Sequence, residues 1–133
     1  MDCVEVCCVD AFYEGENMLV INPYECVDCG VCIEECPIDA IVFDSHPRAQ
    51  PWLELNEKYS QIWPNITSKG GQTPSDADQF HSVEEKFERY FSPNPGEGDV
   101  DTPTRAGRIS NCARCDGETL LARMLKRIRT FLT

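Results

Sequence analysis

Two short apolar runs flank a polar break over residues 12–21. Phe12-Tyr13-Glu14 and Met18-Leu19-Val20-Ile21 flank Gly15-Glu16-Asn17. Two short β-prone runs around such a break predict a β-hairpin over 12–21. Farther along, the period lengthens. Leu55, Tyr59 and Ile62 fit a short helix over 52–62, stopped by Pro64. Val83, Phe87 and Phe91, with Tyr90, recur at i, i+4 and i+8 and predict a helix over 81–91. Ser82 and Glu85 fit a capping box at its start. Leu120, Leu121, Met124, Leu125, Ile128 and Leu132, interleaved with Arg123, Lys126, Arg127 and Arg129, predict a basic amphipathic helix over 117–132. Between these elements, 67–79 is rich in Ser, Gly, Thr, Gln, Pro and Asp and reads as a loop. Residues 92–110 carry Pro93, Pro95, Gly96, Gly98, Pro103 and Gly107 and read as a flexible linker.

The chain's 133 residues suit one domain, or a small domain with a tail. No apolar run approaches the roughly 18 residues needed to span a bilayer. The start, Met1-Asp2-Cys3-Val4-Glu5, has neither a basic n-region nor a long apolar h-region, so the expected location is the cytoplasm. The net charge is −11 and unevenly placed. Residues 1–100 hold 20 Asp/Glu against five Lys/Arg; the remainder holds three against seven. An acidic body repels phosphates, which argues against a nucleic-acid partner. It suits a protein partner with a basic docking face, or serves solubility only.

Seven of the nine cysteines lie within residues 1–46. Nine cysteines in a leaderless chain point to metal or redox chemistry before disulfides. Cys26-Val-Asp-Cys29-Gly-Val-Cys32-Ile-Glu-Glu-Cys36-Pro37 is C-x2-C-x2-C-x3-C-P. Three thiolates at this spacing wrap a tight loop around three corners of an iron–sulfur cube. The fourth cysteine points away and ligates a different cluster. Soft thiolate sulfur matches the cluster irons, and Gly30 lets the backbone come close. Zinc sites favour two separated C-x2-C pairs instead.

The fourth corner of the cube must come from Cys3, Cys7 or Cys8. Cys3-Val-Glu-Val-Cys7 is a second C-x3-C, and Val9-Asp10-Ala11-Phe12 parallels Ile38-Asp39-Ala40-Ile41. By this internal repeat Cys7 corresponds to Cys36. If Cys36 serves a partner cluster, Cys7 completes a [4Fe–4S] site with Cys26, Cys29 and Cys32. Cys8 stands where the repeat places Pro37 and reads as a buried free thiol. Each half then becomes a loop, a short helix and a strand, related by a pseudo-two-fold, with the second strand at Ala40–Phe43.

Asp2-Cys3-Val4-Glu5-Val6-Cys7, Phe12-Tyr13-Glu14-Gly15, Leu19-Val20-Ile21-Asn22-Pro23, the four-cysteine motif with Pro37, and Trp63-Pro64-Asn65-Ile66-Thr67 resemble the bacterial ferredoxins of the seven-iron type with a C-terminal extension. The resemblance covers about residues 2–66 and implies an α+β ferredoxin-like iron–sulfur fold. It implies a [4Fe–4S] cluster on Cys7, Cys26, Cys29 and Cys32, a [3Fe–4S] cluster to which Cys3 and Cys36 belong, and one-electron transfer at low potential. It also implies that the family's N-terminal strand and first cysteines are missing here, which leaves the second site one thiolate short and the strand at Ala40–Phe43 as an open edge. Three explanations stand: a truncated start, a single cluster, or Cys112-x-x-Cys115 supplying the lost ligands. The expected division is an iron–sulfur core over 1–66, a helical extension over 67–91, and a linker with a basic tail over 92–133.

The reading is therefore a monomeric electron carrier, not an enzyme, exchanging single electrons with redox proteins. An electron-transfer subunit of a larger complex is the first alternative. A thiol redox sensor using Cys8, Cys112 and Cys115 is the second. His46 and His81 each lie alone in polar surroundings and read as structural. Trp52 and Trp63 read as core cover, and Asp10, Asp28 and Asp39 as solvated or capping groups.

Overall fold

The computed structural model describes residues 2–68, 77–80, 83 and 85–99. The elements run α1 (Asp2–Glu5), β1 (Phe12–Glu14), β2 (Leu19–Ile21), α2 (Val31–Glu34), a 3-10 helix at Pro47–Trp52, α3 (Leu53–Tyr59), a 3-10 helix at Ala77–Phe80, and α4 (Lys86–Tyr90). No described helix is long and apolar enough to cross a membrane.

The predicted hairpin forms. β1 and β2 pair antiparallel with Phe12 opposite Ile21, Tyr13 opposite Val20 and Glu14 opposite Leu19. Gly15 N–H donates to Met18 O at 2.8 Å and closes the turn. Side chains on a strand alternate between faces, and here each face has its own core. Phe12, Leu19 and Ile21 meet Val4 and Ile66 on the side that carries Cys3, Cys7 and Cys32. Tyr13 and Val20 meet Tyr59, Trp63, Leu55, Met18 and Phe91 on the other side.

The segment after α3 lines the free edge of β1. Glu14 N–H donates to Pro64 O at 2.9 Å and Ile66 N–H to Phe12 O at 3.0 Å. Residues 91–99, whose composition reads as the start of a linker, also lie on this body. Gly96 N–H donates to Glu14 O at 2.9 Å, Gly98 N–H to Glu14 Oε2 at 2.7 Å, and Trp63 Nε1–H to Pro93 O at 3.0 Å. The Asp99 carboxylate accepts the backbone N–H groups of Thr67 and Ser68. Backbone donors of this edge find partners in the strap, so its glycines and prolines mark close approach here rather than disorder.

Two expected elements differ. Ala40–Phe43 is not a strand, because no described segment lies alongside to pair with it. Ile41 still packs against the cysteine-side core, while Phe43 is 51% exposed. The second half therefore has no hairpin matching β1 and β2. Helix α4 starts at Lys86, after Glu85 in the left-handed region with φ 57. Glu85 is thus outside the helix and forms no capping box; Ser82 lies outside the described residues. The apolar spacing was nevertheless informative, since Phe87 and Phe91 stack at 4.5 Å and Phe91 packs on Tyr59 at 5.4 Å. The 52–62 helix is confined to Leu53–Tyr59, because the preceding turn through Pro47 and Pro51 is 3-10.

Candidate metal centre

None of the seven described cysteines is in a disulfide, and each is partly buried. Cys3 lies on α1 and Cys32 on α2, while Cys7 and Cys36 follow those helices. Cys26 and Cys29 lie in the loop that leads into α2. Gly30 caps α2 with φ 75, and Asp28 sits two residues earlier at φ 54. These left-handed residues turn the loop sharply enough to set Cys26, Cys29 and Cys32 together. A Cβ at Gly30 would stand 3.0 Å from Phe43 Cζ, so this glycine also admits the ring that covers the loop.

Electrostatics groups the sulfurs. Burial pushes the Cys32 thiol up to about 12, and charge on Cys26, Cys7, Cys29 and Cys3 adds to the shift. Burial pushes Cys26 up to about 11, with Asp28 and Cys7 adding to it. Burial raises Cys7 as well, against the N–H groups of Ala11 and Val9; Asp10 and Cys29 add to the rise. Cys3 is raised by burial and then by Cys36. Cys7, Cys26, Cys29 and Cys32 therefore share one field, and Cys3 and Cys36 share another, with Cys32 also feeling Cys3. Among the described residues no three His, Cys, Asp or Glu side chains converge as they would on a single metal ion. The thiol-only donor set and its mutual repulsion suit a polynuclear centre, whose irons neutralise all four sulfurs at once.

The two halves present sulfur to the backbone in the same way. Ala11 N–H donates to Cys7 Sγ at 3.3 Å, and Ala40 N–H donates to Cys36 Sγ at 3.2 Å. Asp10 and Asp39, the residues before each alanine, have φ 52 and 50. The sequence reading of these aspartates as solvated or capping groups missed this; Asp10 is only 4% exposed. The repeated Asp-Ala after each C-x3-C was the available signal. Cys8 is half-buried among the sulfurs' neighbours. His46 Nδ1 accepts Arg48 N–H at 3.1 Å and caps the 3-10 helix, a structural role. His81, Cys112, Cys115 and the basic helix lie outside the described residues.

The comparisons with known proteins point to the same kind of centre. Residues 19–42 match the family model described as a 4Fe-4S binding domain, which spans the four-cysteine motif. Residues 50–92 match a domain of unknown function (DUF3470). The chain is 59% identical to "Ferredoxin-1" of Caulobacter vibrioides over 99 residues, covering 74% of this chain and 87% of that protein. The chain belongs to the ferredoxins. It is also 52% identical to "Ferredoxin" of Rickettsia felis over 93 residues, 68% of this chain and 84% of that one. This ferredoxin binds a [4Fe–4S] cluster and works as an iron–sulfur electron carrier, exchanging electrons with redox partner proteins rather than catalysing a reaction of its own.

Proposed function

We propose that Cys7, Cys26, Cys29 and Cys32 hold the [4Fe–4S] cluster, and that Cys3 and Cys36 belong to a second, [3Fe–4S] site of the seven-iron type. The shared field of the first four sulfurs is the observation that carries the assignment. The cluster supplies a one-electron site. The protein supplies four thiolates, an N–H donor aimed at Cys7, and the cover of Val4, Phe12 and Ile66, which keeps water from that side. The matched Cys7–Ala11 and Cys36–Ala40 contacts support a pseudo-two-fold between the halves.

The same reading gives an iron–sulfur core over 1–66, an extension over 67–91 and a linker and tail over 92–133, with the strap up to residue 99 held on the core. The carrier acts as a monomer in the cytoplasm, where seven thiols stay reduced. It docks with its acidic face on a basic surface of its partners. No Lys or Arg occurs before Arg48, so the segment that carries seven of the nine cysteines is acidic, which supports that charge complementarity.

Iron and sulfide content, with electron paramagnetic resonance on protein purified without oxygen, tests the reading. About seven irons in all is the expected result, with the signal of the first site appearing only after dithionite, lost in Cys7→Ala and kept in Cys8→Ser. A further signal in the oxidised protein reports the three-iron site. An ordinary reduced-state signal in Cys7→Ala overturns the ligand assignment.

A further inference from the structure

The segment matching a domain of unknown function reaches the Cys7 turn through Asn65. Asn65 runs beside β1, and its amide donates twice, to Asp10 O at 2.7 Å and to Phe12 O at 2.8 Å. Between those carbonyls lies Ala11, whose N–H points at Cys7 Sγ. Asp10 holds a left-handed backbone and is buried, as are Ala11 and Phe12. A non-glycine residue at positive φ costs about 1 kcal/mol or more unless its surroundings hold it there. Asn65 grips the carbonyls on both sides of the residue that must not rotate.

The other half has a clamp of different chemistry. Arg48 Nη2–H donates to Asp39 O at 2.7 Å, at the equivalent left-handed aspartate before Ala40. Both presenting turns are thus held by side chains from beyond the cysteine motif. One clamp is a half-buried neutral amide and the other an exposed cation.

We propose that Asn65 is a positioning residue for electron transfer: it fixes the Ala11 N–H on Cys7 and thereby sets the potential of the cluster. The inference rests on Cys7 as a ligand. An N–H donor to a ligating sulfur stabilises the more negative, reduced state. Weakening that bond moves the potential to more negative values. The segment after α3 then tunes the redox site as well as covering the hairpin.

The test compares Asn65→Ala with Asn56→Ala in the full, cluster-loaded chain. Asn56 Oδ1 accepts Ile21 N–H at 2.7 Å, a tie of the extension to β2 that leaves the Cys7 turn untouched. Asn65→Ala is expected to speed amide exchange in a peptide spanning residues 8–13 and to make the potential more negative. Asn56→Ala is expected to lower stability with neither effect. Unchanged potential and exchange in Asn65→Ala, or equal shifts in both variants, overturns the proposal. If Asn65→Ala does not fold, Asn65→Ser, which keeps one short donor, is read in the same way. A retained ordinary signal in Cys7→Ala would instead remove the ligand on which the proposal stands.

Discussion

The indole of Trp63 lies across the α-carbon of Gly15, so close that a Cβ there would stand 2.5 Å from Cη2. The ring cannot easily give way. It is 3% exposed, stacked on Tyr59 at 4.5 Å, and tied through Nε1 to Pro93 O. Gly15→Ala should therefore cost about 1–3 kcal/mol, the usual toll of overpacking. A lower urea midpoint for the cluster-loaded protein checks it; an unchanged midpoint would mean that the turn at Gly15 shifts freely.

Trp63→Phe keeps most of the apolar cover but removes the donor to Pro93 O. The loss should be about 1 kcal/mol for the hydrogen bond, with a further share for the smaller ring. Its signature is local: limited proteolysis should cut near residues 91–99 sooner than in the parent protein. Parent-like cutting would show that the Glu14 and Asp99 bonds suffice to hold the strap.

Cluster removal should unfold the chain. The described buried apolar core consists of Val4, Ala11, Phe12, Val20, Ala49, Tyr59, Trp63 and Ile66, divided between two faces. So small a core leaves much of the folding energy to the metal centre. Chelation of iron should abolish near-ultraviolet circular dichroism and any cooperative thermal transition. A sharp transition in the iron-free chain would refute this.

The raised thiols make cluster insertion depend on pH. Cys26 and Cys32, at about 11 and about 12, are protonated at neutral pH in the empty site. Only thiolates bind iron, so cluster insertion releases protons, and affinity should keep rising beyond the ordinary thiol value of 9.0. Proton uptake by an indicator dye during reconstitution at pH near 7 measures this effect; no release would show that the ligands are already ionised.

Electron exchange with a basic partner should slow as salt rises, because screening shortens the reach of the acidic field to about 10 Å at 0.1 M. Stopped-flow rates over a salt series provide the check. A flat series would place docking on apolar contacts such as the exposed Phe43 and Ile38.

The [4Fe–4S] cluster was readable from the spacing of the four-cysteine motif, which the 4Fe-4S binding domain match spans. The C-x3-C repeat is the sequence signal behind the proposal of Cys7 as the fourth ligand. The hairpin was legible because Phe12–Glu14 and Met18–Ile21 are two short β-prone runs on either side of a short polar break. Long-range ties were not legible. Asn65 and Asp99 look like ordinary loop residues until the chain returns to place carbonyls and N–H groups beside them. Glycines and prolines at 93–98 suggested disorder, because composition cannot distinguish a free linker from a backbone pressed against a strand. Ala40–Phe43 carries a strand's residues without a neighbour to pair with, and β-propensity is realised only in company.

A two-stranded hairpin with a core on each face is a bulkhead between two compartments. Neighbouring residues of one strand answer to different neighbours: Phe12 and Leu19 to the sulfurs, Tyr13 and Val20 to the aromatic rings. Substitutions in the aromatic compartment can accumulate without disturbing the redox side, provided the backbone of the hairpin stays in place. Among the described residues the edge lane at Trp63–Ile66 bridges both, with Trp63 in one compartment and Ile66 in the other. Those four residues have little freedom to change, and through them stability and electron chemistry are inherited together.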